Sequence, residues 1–218
     1  MKIAIIGYGN VGSALAKGWL RAGHEIVFGV REPRAPQLRD LLETLGERAR
    51  GETVADAAAA AEVVVLATPW SAAEPAIRAA GRLVDKVLVD CTNPIGREGL
   101  LAVGHTDSGG ECVERWAFGA KVVKAFNCTG WSNMADADYG TEQPRPTMFL
   151  CGDEDGAKHI VSQLAEDLGF DAVDCGPLTS ARYLEPLAML WIQLAYRQGL
   201  GEDIAFALLR RPQADAEE

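Results

Sequence analysis

The chain has 218 residues, 48% of them hydrophobic and 24% charged, and carries a net charge of −10 at pH 7. That length and apolar content can bury the core of one domain, or of one domain with an appendage. An acidic field repels nucleic-acid phosphate and anionic membrane surface, which argues against both as partners.

Residues 2–6 (Lys-Ile-Ala-Ile-Ile) read directly as an apolar strand, with no basic or apolar leader ahead of them. A cytoplasmic protein is therefore expected. No stretch reaches the roughly 20 uninterrupted apolar residues of a membrane span. Cys91, Cys112, Cys128, Cys151 and Cys175 lie 16 to 24 residues apart without a CxxC pair. That spacing suits reduced, buried thiols and offers no metal site, and the three histidines are as scattered. The acidity is spread along the chain apart from a short tail at 214–218.

The elements follow in order. After the 2–6 strand comes a glycine loop. A helix follows, with Val11, Ala14, Leu15, Trp19 and Ala22 at helical spacing and Gly23 as its C′ residue. A second strand is centred on Ile26, Val27 and Phe28. Helices are expected at 36–48 and 55–61, with a strand at 63–67. A helix at 71–83 and a strand at 86–89 come next. The segment 99–110 is loop-rich. Ser108 and Glu111 then have the spacing of a capping box for a short helix through Trp116. A strand at 121–125 leads to a polar surface loop at 136–146, a strand at 147–151, a helix at 155–168 and a last strand at 171–173. Beyond Gly176 only helix is expected. Leu184, Leu187, Leu190, Trp191 and Leu194 make that helix apolar on nearly every face, to be buried against the sheet domain or a second subunit.

This alternation implies right-handed βαβ units and an α/β fold, a doubly wound and mostly parallel Rossmann-type sheet. Residues 1–176 would form the nucleotide-binding domain and 177–218 a small helical C-terminal part.

The first loop, Gly7-Tyr8-Gly9-Asn10-Val11-Gly12, matches GxGxxG between a strand and a helix. Gly7 permits the tight turn, Gly9 lets a pyrophosphate approach the backbone, and Gly12 lets the helix pack closely on the strand. The helix N-terminus presents free N–H groups to the anion. At the end of the second strand, where NAD-specific sites place a carboxylate, stands Arg31, with Arg34 three residues on. Guanidinium there suits the 2′-phosphate of NADP. Glu32 can pair with either arginine or accept from the ribose itself.

Ligands of open α/β sheets collect beyond the carboxyl ends of the strands. Three segments fall there: Thr68-Pro69-Trp70, Cys91-Thr92-Asn93-Pro94, and Ala125-Phe126-Asn127 with Cys128-Thr129. Asn and Thr suit a carboxamide and a polar ring edge, and Trp70 and Phe126 suit stacking. Pro69 and Pro94 can equally end strands, and Asn93 can cap a turn. There is no GxSxG, Walker lysine motif or HExxH, so no catalytic acid, base or nucleophile is expected from a side chain. Hydride transfer between two rings asks the protein mainly for alignment.

The segments MKIAIIGYGNVG, Asn93-Pro94, 122–127 (Val-Val-Lys-Ala-Phe-Asn), 174–178 (Asp-Cys-Gly-Pro-Leu) and 181–187 (Ala-Arg-Tyr-Leu-Glu-Pro-Leu) together resemble the NADPH-dependent coenzyme F420 reductase family. The resemblance implies a dimeric Rossmann protein that aligns nicotinamide and deazaflavin at the sheet edge. It would place residues 7–11 on the pyrophosphate and Arg31 on the 2′-phosphate. Thr68, Pro69 and Asn93 would line the nicotinamide half, with Phe126 and Asn127 near the second ring. One segment departs from the pattern. Where archaeal-type members have a Leu-His-Thr-like stretch, this chain has Ala-Phe-Asn-Cys-Thr at 125–129, which is similar to the reductase domain of flavin-using membrane metalloreductases. The acceptor is then F420, FMN, FAD or another small molecule. An NADP(H)-dependent reductase of a small carbonyl or imine, and a non-enzymatic NADP(H) sensor, are the competing readings.

Overall fold

The computed structural model describes residues 1–96 and 99–211. The acidic tail at 214–218 lies outside the described residues. Five apolar strands form the centre: β1 (Lys2–Ile6), β2 (Glu25–Val30), β4 (Val63–Leu66), β5 (Val87–Asp90) and β6 (Lys121–Lys124). Strands this apolar need cover on both faces. Helices α1 (Asn10–Arg21), α2 (Pro36–Leu45), α6 (Trp131–Ala135) and α7 (Asp155–Glu166) supply one side. Helices α3 (Val54–Ala60), α4 (Trp70–Ala80), α5 (Gly109–Trp116) and α8 (Ala181–Ile192) supply the other.

Among the described residues the sheet has eight strands, in the order β3 (Ala49–Thr53), β2, β1, β4, β5, β6, β7 (Thr147–Gly152) and β8 (Asp171–Asp174). All neighbours are parallel except β6 and β7 (Thr147–Gly152), which run antiparallel. The last strand, β8 (Asp171–Asp174), lies parallel to β7. The order turns back between β1 and β4, which pair directly, with Ile3 opposite Val63. That reversal is the topological switch point, where the carboxyl ends open a crevice.

Two elements escape the hydrophobic pattern. The helix expected at 36–48 ends at Leu45, and residues 49–53 (Ala-Arg-Gly-Glu-Thr) form the edge strand β3. Its only fully buried residue is Ala49, so it carries no apolar period. Short α6 precedes the polar loop and contributes the buried Met134. Beyond Gly176 the chain is not helix throughout. A 3-10 turn (Leu178–Ser180), α8 and a π-helical turn (Gln193–Arg197) give way to irregular chain. That irregular chain is fastened by backbone groups: Ile204 O accepts from Trp191 Nε1 at 2.7 Å, and Phe206 O from Thr147 N at 2.8 Å.

Helix α8 is buried on one face only. Leu184, Ala188 and Trp191 are buried, while Leu190 is 49% and Tyr183 77% exposed. The sheet domain alone therefore does not cover it. No helix among the described residues is long and apolar enough to cross a membrane.

Ser108 caps α5 as its spacing predicts, its Oγ accepting from Glu111 N at 3.1 Å. The return half of the box differs. Glu111 turns its carboxylate onto Arg182 of α8, which donates from Nε at 2.9 Å and Nη2 at 2.6 Å. The Arg182 guanidinium holds the Glu111 carboxyl below its ordinary range; burial opposes this, and the Ser108 hydroxyl assists it. A depressed carboxyl stabilises the fold above its unfolded value of about 4.3, and that contribution is lost as pH falls through the folded value. Glu111→Gln is expected to lower stability by about 1 kcal/mol at pH 7. In urea titrations across pH, the difference from the parent protein should begin to shrink as pH falls below about 4.3 and vanish only below the depressed folded value.

Candidate functional site

The turn after β1 is built by contacts that only glycine allows. Gly7 has φ +105°, and a Cβ there would stand 2.5 Å from Ala67 O on β4's continuation. A Cβ on Gly12 would stand 2.2 Å from Gly7 O, so α1 lies directly on the turn. A Cβ on Gly9 would meet nothing within 4 Å. Packing therefore does not demand Gly9; the space beside its backbone is open. Ser13 Oγ donates to Tyr8 O at 2.9 Å and steadies the loop. No side chain among the described residues caps α1, and no acid sits in its first turn. The N–H groups of its first turn thus remain available, at the positive end of the helix dipole. Asn10 is exposed, and Tyr8 and Val11 are half-buried against the core.

Gly7 N also donates to Gly29 O at 3.3 Å, which brings the end of β2 beside the turn. Arg31, Glu32 and Arg34 follow β2, all exposed. Glu32 forms no ion pair with either arginine, and neither arginine pairs with any other carboxylate among the described residues. Glu32 and Arg34 share a surface cleft with Pro33, Ala35 and Pro36.

Across the switch point lies a cleft of about 520 Å³, lined by residues 68–71, 91–93 and 95–96. It joins two of the three strand-end segments. Pro69 is the N-cap residue of α4 and Trp70 its first residue. Trp70 is half-buried and stacks on Trp116, with centroids 5.1 Å apart and planes inclined 35°. Thr68 Oγ1 and Asn127 Oδ1 are buried side-chain oxygens with no partner among the described residues. Leaving such an atom unpaired costs about 1–3 kcal/mol, so an unpaired hydroxyl on the cleft's own Thr68 fits a site that receives a polar molecule. Cys91 lines the same cleft, but burial, with Asp90 adding and Lys124 opposing, pushes its thiol far up. It is not a thiolate nucleophile.

Behind this cleft the structure holds a charge network that the motifs did not announce. Lys124, the last residue of β6, is wholly buried. Its Nζ lies 2.9 Å from Asp90 Oδ2, 2.9 Å from Glu185 Oε1 and 2.5 Å from Thr92 O. Asp90 Oδ1 accepts from Thr92 N at 2.9 Å and Thr92 Oγ1 at 2.7 Å. Glu185 accepts from Gly109 N and Gly110 N at the start of α5. Burial pulls the Lys124 ammonium down, but Asp90 and Glu185 outweigh it and hold the group above the ordinary lysine range. A signal did exist: opposite charges, Asp90 and Lys124, end two neighbouring strands whose inner residues are apolar.

Comparison with known proteins places this architecture. Residues 2–94 match the family model "NADP oxidoreductase coenzyme F420-dependent". The F420-dependent NADP reductase of Methanothermobacter thermautotrophicus is 34% identical over 212 residues, covering 90% of each chain. The chain belongs to the F420-dependent NADP reductase family. A crystal structure from Arthrobacter sp. FB24, named for an F420-dependent NADP reductase, superposes with a TM-score of 0.87 at 36% identity, covering 96% of this chain and 100% of that one. The chain is also 32% identical to Metalloreductase STEAP3 of Rattus norvegicus over 192 residues, 87% of its own length but only 37% of that protein's.

Within this family frame, the third strand-end segment is used differently from the sequence expectation. Ala125 is fully buried, and so is Phe126, at 1% exposure. Phe126 has φ +58°, a left-handed turn that breaks the strand's alternation. Its ring swings into the core and meets Trp19 edge-on, centroids 5.6 Å apart, so it is not free to stack on a ligand. Pro94 is likewise buried, against Gly109. Asn93 and Asn127 bind one another: Asn93 Nδ2 donates to Asn127 O at 2.8 Å, and Asn127 Nδ2 to Asn93 Oδ1 at 3.0 Å. Asn127 Nδ2 also donates to Leu184 O of α8 at 3.1 Å. Of the three segments, then, two line the cleft and the third braces it. Phe126→Ala is expected to cost about 3–5 kcal/mol in chemical denaturation, as for other buried aromatics. Where that variant remains folded, its affinity for dinucleotide should stay within about twofold of the parent, since no ligand contact is removed.

Proposed function

We propose that this protein transfers hydride between NADP(H) and coenzyme F420. The reading is carried by one arrangement: an uncapped helix N-terminus on a glycine turn, opening at the switch point onto the 68–96 cleft, with unpaired Arg31 at the end of β2. The family relatives named for the same pair of substrates support it.

The residues divide the work. The backbone at Gly9 and the first turn of α1 would receive the pyrophosphate, where the Cβ-free surface permits close approach. Arg31 would take the 2′-phosphate, with Arg34 nearby. The segments at Thr68-Pro69-Trp70 and Thr92-Asn93 would shape the nicotinamide half, and Thr68 Oγ1 offers an unused hydrogen bond there. When bound, the nicotinamide supplies or accepts the hydride, and the chain's role is to align the two rings and exclude water. The similarity of residues 125–129 to the metalloreductase segment favours FMN or FAD as the second acceptor to test. The C-terminal part from residue 177 would carry the apolar face of α8, which we read as the contact for a second copy of the chain, given exposed Tyr183 and Leu190.

Arg31→Glu is expected to weaken NADPH binding by about 1–3 kcal/mol, the worth of a charge-assisted bond, while NADH affinity changes little. Fluorescence titration with each nucleotide measures this; tighter binding of NADH than NADPH by the parent protein would overturn the assignment of Arg31. Stopped-flow oxidation of NADPH at 340 nm, with F420, FMN and FAD in separate runs, tests the reaction. Fastest turnover is expected with F420, and binding without any turnover would favour a sensor.

A further inference from the structure

Lys124 sits where a charge is costliest. It and Asp90 are 0% exposed, and Glu185 is 1% exposed. A hydrophobic cluster of the same volume is commonly as stable as a buried ion triad, so stability alone gives no reason for one here. What the charges accomplish is geometric. The ammonium has three protons and finds three acceptors. One of these is the carbonyl of Thr92, on the floor of the cleft. Thr92 N and Oγ1 are both taken by Asp90. Every polar group of Thr92 is therefore clamped, and with it the peptide that presents Asn93. The other end of the network is on α8. Glu185 reaches Lys124 and the start of α5, while the preceding carbonyl, Leu184 O, is held by Asn127, the partner of Asn93.

We propose that Lys124 is a positioning residue for hydride transfer, through which α8, by Glu185, sets the conformation of the Thr92–Asn93 floor. The proposal rests on the reading of the cleft as the nicotinamide site. Lys124 is wholly buried and would act only through the groups it holds, Thr92 O among them. Its effect belongs to the alignment of the rings, where a displacement of about 1 Å can cost on the order of 100-fold in rate.

The test is a triple variant, Asp90→Asn, Lys124→Met and Glu185→Gln, which removes all three charges at nearly constant shape and frees Thr92 O. NADPH affinity by fluorescence titration should stay within about threefold, since the 7–12 turn and Arg31 are untouched. Amide hydrogen exchange at Thr92 and Asn93 should quicken at least tenfold, with α1 unchanged. The single-turnover rate with F420 at saturating NADPH should fall roughly 10- to 100-fold. A folded variant whose exchange at these amides matches the parent, or whose single-turnover rate lies within twofold, overturns the proposal. If the triple variant does not fold, Glu185→Gln alone removes the α8 charge while keeping one of the two acceptor oxygens that the Gly109 and Gly110 amides use; it should show the same direction in exchange and rate, and its failure to do so is equally decisive. Absence of turnover in the parent protein itself overturns the hydride-transfer reading instead, and the exchange measurement then decides the positioning of the floor by itself.

Discussion

Two adjacent parallel strands that send their helices to opposite faces cannot be covered by the same connection. At β1 and β4 this leaves a gap above the carboxyl ends, and everything functional in the molecule is arranged around that gap. The turn after β1 must pass beside β4 without filling the gap, so Gly7 abuts Ala67 O and Gly12 abuts Gly7 O at distances no side chain would tolerate. Gly9, which the packing does not require, leaves the backbone at the helix start uncovered. The N-terminus of α1 is left bare toward the gap, which is also what an anion requires.

The chain is strongly acidic, yet the proposed ligand is a polyanion. Range resolves the conflict. At physiological ionic strength, charges farther apart than about 8 Å are largely screened. Distributed carboxylates therefore act weakly at the turn, while donors in contact act fully. The first turn of α1 carries no acid, and Arg31 and Arg34 face no carboxylate partner among the described residues. Glu32 pairs with neither arginine, and no carboxylate among the described residues does, which leaves both guanidinium groups free to meet a phosphate.

Much of this was legible in the sequence because it is written in periodicity and in glycine. The central strands, α1 and its C′ Gly23, the Ser108 cap and the Gly7–Gly12 turn follow from local rules. What stayed hidden depends on contacts distant in sequence. Strand β3 is polar because it lies at the edge, where one flank needs no apolar cover. Phe126 reads as a strand-end aromatic facing a ligand, but a left-handed backbone at that residue sends the ring to Trp19, and nothing in a non-glycine sequence marks such a turn. Asn93 and Asn127 both read as amides for a ligand. Only the fold shows that these two amides, 34 residues apart in sequence, are hydrogen-bonded to each other.

The buried charges follow the same logic one step further. Apolar packing tolerates small slips, because dispersion contacts are numerous and individually weak. A lysine ammonium in a dry interior tolerates none, since each unmet proton leaves a charged donor unsatisfied. Placing Lys124 between β5, β6 and α8 therefore exchanges the latitude of a greasy contact for a single permitted geometry. That geometry includes the carbonyl of Thr92. The charges thus do for the cleft floor what the glycines do for the phosphate turn: each removes conformational freedom at a point where two elements meet at the switch of the sheet. The glycines act by forbidding side chains, and the lysine acts by demanding partners.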